Sequence, residues 1–284
     1  MSTPENPSES KLRAALELLS DPDDTIASMA LETIVNSGKA EPLLAIVQDD
    51  PDDNARRRAH QLGAMLQQEH FLQEMVSLHE QAKLDILQAM NNIDLLYDTS
   101  SSQPYLEKLL VELRQGFKPH RRPPKLAEIT RYMEKEGFYV PPLPWLAIDE
   151  YLLGDVLSGD GAGIPLVLAA LCQFLGRAYG LEISIVTCNG FVGILSDDKL
   201  CILENGWECH PVAQDDEICK LNNQQALRIY LSTLLTSSIA SWEIYDTHLF
   251  LHIFQKLYGL TDNPLPYPFG STTSDSDDIT GDAK

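Results

Sequence analysis

The sequence predicts a mixed α+β fold: a helical N-terminal part followed by a core in which one buried helix packs on a small antiparallel sheet. Three observations carry this. A turn, Asp21-Pro22-Asp23-Asp24, returns 29 residues later as Asp50-Pro51-Asp52-Asp53. Apolar residues then recur at threes and fours over long stretches, the spacing of amphipathic helices. Finally, the uncharged apolar run beginning at Ile164 leads into short β-branched runs separated by turn residues.

Taken in order, residues 1–9 (MSTPENPSE) are polar and proline-bearing and predict a disordered end rather than a secretory leader. Residues 10–68 hold the repeat. Leu18 aligns with Val47, Ile26 with Ala55 and Ala30 with Ala59, so each unit reads as helix, Pro/Asp turn, helix. The turn aspartates are placed to accept from the free N–H groups of the second helix. The pair resembles short HEAT-like repeats, and two copies need a neighbour to dock on. From His70 to Tyr97 the stripe Leu72, Met75, Val76, Ala82, Ile86, Met90, Ile93, Leu96 predicts one long helix. Leu106, Leu109, Leu110 and Leu113 mark another, and Leu126, Ile129, Tyr132 and Met133 a third. Between these two, Lys118-Pro119-His120-Arg121-Arg122-Pro123-Pro124-Lys125 reads as a solvated linker in preference to an anion patch.

Prolines 141, 142 and 144 make Glu136–Trp145 a non-helical crossing segment. A short stripe follows (Ile148, Tyr151, Leu152, Val156, Leu157), then a turn with glycines at 159, 161 and 163. Pro165 suits the first turn of a buried helix running to Tyr179. Runs 182–188, 191–195 and 200–203 predict strands, and 223–237 and 241–258 two further helices. The tail, 263–284, has a disordered composition.

These features resemble the SirB-one branch of the transglutaminase-like superfamily, whose core is papain-like. The likeness rests on Glu136-Gly137-Phe138, Tyr151-Leu152, Val156-Leu157, Gly163-Ile164-Pro165 and Arg177-Ala178-Tyr179-Gly180-Leu181. It spans about residues 85–210 within a domain placed at 69–262. Active members of the superfamily use a cysteine at the start of the buried helix, a histidine on a following strand and an acid on the next. The resemblance places Pro165 at the cysteine position, Val167 where some members carry serine, Gly190 at the histidine position, and Glu204 or Asn205 at the third. Thiol and imidazole are therefore both missing, and the resemblance implies a non-catalytic binding or adaptor module. Two alternatives stay open: an acyl transferase or amidohydrolase using a displaced thiol, with Cys188 as candidate, and a helical-repeat scaffold holding a basic protein. Period-two alternation places Cys188 on the same face as Gly190 if the strand is regular.

Composition bounds partners. With 21 Lys and Arg against 42 Asp and Glu, the net charge is −21, which disfavours nucleic acid and anionic membrane surfaces. A protein partner with basic character is expected, along with a cytoplasmic location and no membrane span. Five cysteines (172, 188, 201, 209, 219) read as reduced thiols. Cys201, Cys209, His210 and Cys219 lack zinc-hook spacing, and adjacent Cys209 and His210 point apart in an extended segment. His248 and His252 share a helix face, but Leu249 stands where a zinc protease needs glutamate. No cofactor or metal is expected.

Overall fold

The computed structural model describes residues 9–21, 23–36, 53–98, 102–142 and 147–259. The disordered ends expected at 1–9 and 263–284 fall outside these apart from Glu9, which opens a helix. The second copy of the turn, Asp50-Pro51-Asp52, also lies outside them.

Helices α1 (Glu9–Leu18) and α2 (Asp24–Asn36) form an antiparallel pair burying Leu12, Ala15, Leu19, Ala30 and Ile34. Asp23 Oδ1 accepts the Thr25 N–H at 2.8 Å, capping α2. Helix α3 (Asp53–Glu80) supplies Arg58, whose buried guanidinium donates to the carbonyls of Leu19 and Asp21. Since α3 runs unbroken through the boundary expected at residue 68, the N-terminal part and the core share a helix.

The single helix expected over 70–97 is two. Ala82 takes a left-handed conformation (φ 53°), Ala82 N–H donates to His79 and Lys83 N–H to Leu78, and α3 stops. Helix α4 (Ile86–Tyr97) starts afresh with Asp85 accepting the Leu87 N–H at 3.0 Å. Leu84 keeps the apolar stripe continuous across the break, which hides it in the periodicity. Helix α5 (Gln103–Gly116) is opened by Pro104, and α6 (Leu126–Lys135) by Glu128 accepting the Lys125 N–H. The stripe expected over 148–157 divides into a 3₁₀ turn (Ile148–Glu150) and α7 (Leu153–Ser158).

Helix α8 (Pro165–Tyr179) is the central element, buried on nearly every side and closed by Gly180 at φ 81°. It packs against α4, α6 and an antiparallel sheet of β1 (Ser184–Cys188), β2 (Phe191–Ser196), β3 (Lys199–Ile202), β4 (His210–Pro211) and β5 (Ile218–Lys220), in the order β4-β3-β2-β1-β5. The first three strands match the sequence expectation. The edge strands β4 and β5, two and three residues long, are too short to carry a pattern. Helices α9 (Asn223–Ala240), with an Asn222/Gln225 capping box, and α10 (Ile244–Tyr258) close the other flank. The protein is thus mixed α+β, with one five-stranded antiparallel sheet among the described residues. No helix of the described residues is long and apolar enough to cross a membrane.

Candidate functional site

The first turn of α8 is where a nucleophile would gain most from the helix dipole. Pro165 occupies the N1 position there and Val167 is fully buried, so neither presents a reactive atom. The entry is tightly held: Gly163 N–H donates to Tyr139, Tyr139 N–H to Gly161, and Ile164 N–H to Glu150. Gly161 (φ 81°) admits no side chain, since a Cβ would lie 2.8 Å from the Gly137 carbonyl oxygen.

Gly190 is not on a strand. With Asn189 at φ 50° and Gly190 at φ 87°, the two residues form the tight turn of the β1–β2 hairpin, where positive φ at both positions matches the twist of the strands. The regular strand needed to align Cys188 with Gly190 ends at Cys188. That thiol, 3% exposed, joins Val186 and Leu200 in a small cluster with Leu195, Ile202 and Ile218. Their neighbours Ile185, Ile194 and Cys201 belong to the main core with α8. Cys188 therefore packs as a small buried residue on the face of the sheet away from α8, not beside Pro165. Burial is the largest cause raising its thiol pKa, with the nearby Asp216 carboxylate adding to it.

The third position falls in a 3₁₀ turn (Leu203–Asn205) directly after β3. Glu204 Oε1 accepts the Val192 N–H at 3.2 Å, while Oε2 is buried without a partner among the described residues. Desolvation raises its pKa. Asn205 is exposed, so of the two only Glu204 leans toward the sheet. The structure brings Glu204 to the start of β2 but brings no described histidine or exposed thiol to the first turn of α8.

The remaining residues sort by position. Cys172 is wholly buried in α8, and its thiol is pushed well up by desolvation. Cys219 lies on β5, at the edge of the sheet opposite β4, so the Cys201, Cys209, His210, Cys219 set is split. Cys209 is half-buried against Thr130 at 3.5 Å while His210 is exposed, so the neighbours do point apart. Among the described residues no three His, Cys, Asp or Glu side chains gather as a metal site. His252 is exposed on α10, and desolvation by its neighbours is the largest cause lowering its pKa. In the basic loop, Arg122 stacks over the Tyr179 ring at 5.2 Å, so it is more than a solvated spacer.

Asp94 lies on the buried face of α4 between Ile93 and Leu95, and its two oxygens accept the N–H groups of Leu153 and Gly154 at the start of α7. Burial pushes its pKa up to about 7 despite those donors. Beside it opens a cavity of about 520 Å³ lined by Asp94, Asp98, Asp155, Ser102, Ser158 and Tyr105. Desolvation and then Asp149 and Asp98 raise the Asp155 pKa as well. A carboxylate interrupting an apolar helical stripe was the available signal. A cavity of this volume suits a side chain or small molecule, and its carboxylates favour a cationic group.

No family model, curated protein or solved structure matches the chain.

Proposed function

We propose that the chain is a non-catalytic binding module: a transglutaminase-like domain preceded by HEAT-like helices, which holds a protein partner through basic groups. The observation that carries this reading is the first turn of α8, where Pro165 and Val167 stand in place of a nucleophile. With Gly190 in a turn, the base is missing too, and losing nucleophile and base together leaves little beyond binding. The acid-lined cavity beside Asp94 supports a basic partner, because a lysine or arginine there would relieve the crowding of Asp94, Asp98 and Asp155. The reading in which Cys188 performs acyl transfer fares worse, since burial and Asp216 both disfavour its thiolate.

The test is an amine-incorporation and ammonia-release assay on a glutamine-bearing protein, using wild type and Cys188→Ala. Wild type should match the buffer blank. Turnover by wild type that Cys188→Ala abolishes would overturn the proposal. For the partner, binding of a polylysine probe should weaken with added salt and with Asp98→Asn/Asp155→Asn; salt-independent binding or none argues against the basic partner.

A further inference from the structure

Two of the five cysteines meet across the sheet edge. The β3–β4 register pairs Lys199 with Pro211 and Leu200 with His210. Extending that register by one residue puts Cys201 opposite Cys209, just beyond the end of β4. The Val212 N–H donates to the Asp198 carbonyl, and Pro211 has no N–H to give. Hydrogen-bonded pairs therefore fall at 198/212 and 200/210, leaving Cys201 and Cys209 at a non-hydrogen-bonded position. There antiparallel Cα atoms approach to about 4.5 Å, inside the roughly 4.4 to 6.8 Å span that a disulfide bridges. The two thiols are close enough to influence each other's ionisation. Both are free.

The pair is asymmetric. Cys201 is fully buried, with its thiol 3.5 Å from the Gly206 carbonyl oxygen, whereas Cys209 is half-buried at the end of the ladder. We propose that Cys201 and Cys209 form a reversible redox site, in which hydrogen peroxide enters at Cys209 and the oxidised state is a Cys201–Cys209 disulfide closing the turn that carries Glu204 and Trp207. Cys209 is the one to ionise first, because it is only half-buried, touches the Thr130 hydroxyl and lies near His210 and Lys199, while Cys201 is fully buried with its S–H given to the Gly206 carbonyl.

In the first step the Cys209 thiolate attacks one peroxide oxygen, the O–O bond breaks, and hydroxide leaves from a sulfenic acid. The Cys201 sulfur then attacks the Cys209 sulfur, the S–OH bond breaks, and the departing hydroxide takes the Cys201 proton as water. Two thiols and one peroxide thus give one disulfide and two waters.

The test uses the full chain treated with hydrogen peroxide, denatured and alkylated with iodoacetamide. Trypsin releases residues 200–220, which carry Cys201, Cys209 and Cys219 together; a glutamyl protease cutting after Glu204, Glu208 and Glu217 separates them for mass spectrometry. A Cys201–Cys209 link reversed by dithiothreitol is expected. With Cys201→Ser, a dimedone adduct should collect on Cys209; with Cys209→Ser, Cys201 should stay reduced. The proposal is overturned if both thiols remain alkylatable after the exposed Cys219 has oxidised, or if Cys209 links to Cys172 or to a second chain. The wild-type peptide map decides even where a variant fails to fold.

Discussion

Asp94 shows what a single buried carboxyl does to the stability of the whole chain. Its pKa rises from 3.8 to about 7 on folding, chiefly by desolvation. Between those values the folded state therefore holds a proton that the unfolded state has lost, and stability falls as pH rises through the window. At about 1.4 kcal/mol per pKa unit, the upper bound is on the order of 4 kcal/mol. Raised carboxyls at Asp155, Glu204 and Asp246 act in the same direction. The lowered pKa values of His79 and His252 oppose it near neutrality, because their unfolded forms bind the extra proton. Asp94→Asn removes the titration while its amide oxygen still accepts from one of the two N–H groups. The unfolding free energy of the variant, from urea titrations, should gain on that of wild type by about 2 to 4 kcal/mol between pH 4 and pH 8; parallel profiles would show that Asp94 is not held neutral.

At the scale of elements, Arg58 ties α3 to the turn between α1 and α2 through the Leu19 and Asp21 carbonyls. Arg58→Ala leaves a buried carbonyl without its charged donor, a loss of about 2 to 3 kcal/mol, and the loosening should be local. Hydrogen exchange in α1 and α2 should accelerate roughly 30-fold or more at that cost, with α8 and the sheet unchanged. Uniform acceleration would mean that the helical pair and the core open as one unit. The sequence made α1, α2, α8 and the first three strands legible because each carries its own periodicity and stop signals, such as Asp23 and Gly180. It hid the α3–α4 break because the stop depends on Ala82 at positive φ, with no glycine or proline to announce it. Strands β4 and β5 form only because β3 and β1 offer them a partner, a tertiary cause that local pattern does not record. The same holds for the candidate site. Pro165 at the head of the buried helix was legible as a proline fit for a first turn, but the hairpin turn at Gly190, the face on which Cys188 lies and the approach of Cys209 to Cys201 depend on register.

Over the whole molecule the dominant quantity is the net charge of −21. It is unevenly spread. Segment 114–135 carries Arg114, Lys118, Arg121, Arg122, Lys125, Arg131 and Lys135 against only Glu128 and Glu134, so the remainder is more acidic than the total suggests. Lys118, His120, Arg131 and Lys135 line one concavity, whereas Asp94, Asp98 and Asp155 line another, and a basic partner would be steered toward the second and away from the first. Folding packs the surplus acid closer than in the unfolded chain, so self-repulsion lowers stability when screening is weak. The exposed ion pairs that salt would weaken, such as Lys108–Glu112, contribute little each. Raising potassium chloride from about 10 mM to about 500 mM shortens the screening length from roughly 30 Å to a few Å. The urea midpoint should accordingly rise, the unfolding free energy gaining on the order of 1 kcal/mol, with most of the gain below about 200 mM. An uncharged osmolyte would instead act in proportion to its concentration. A midpoint that stays level or falls with salt would mean that specific pairs outweigh the diffuse repulsion, and with it the electrostatic case for a basic partner would weaken.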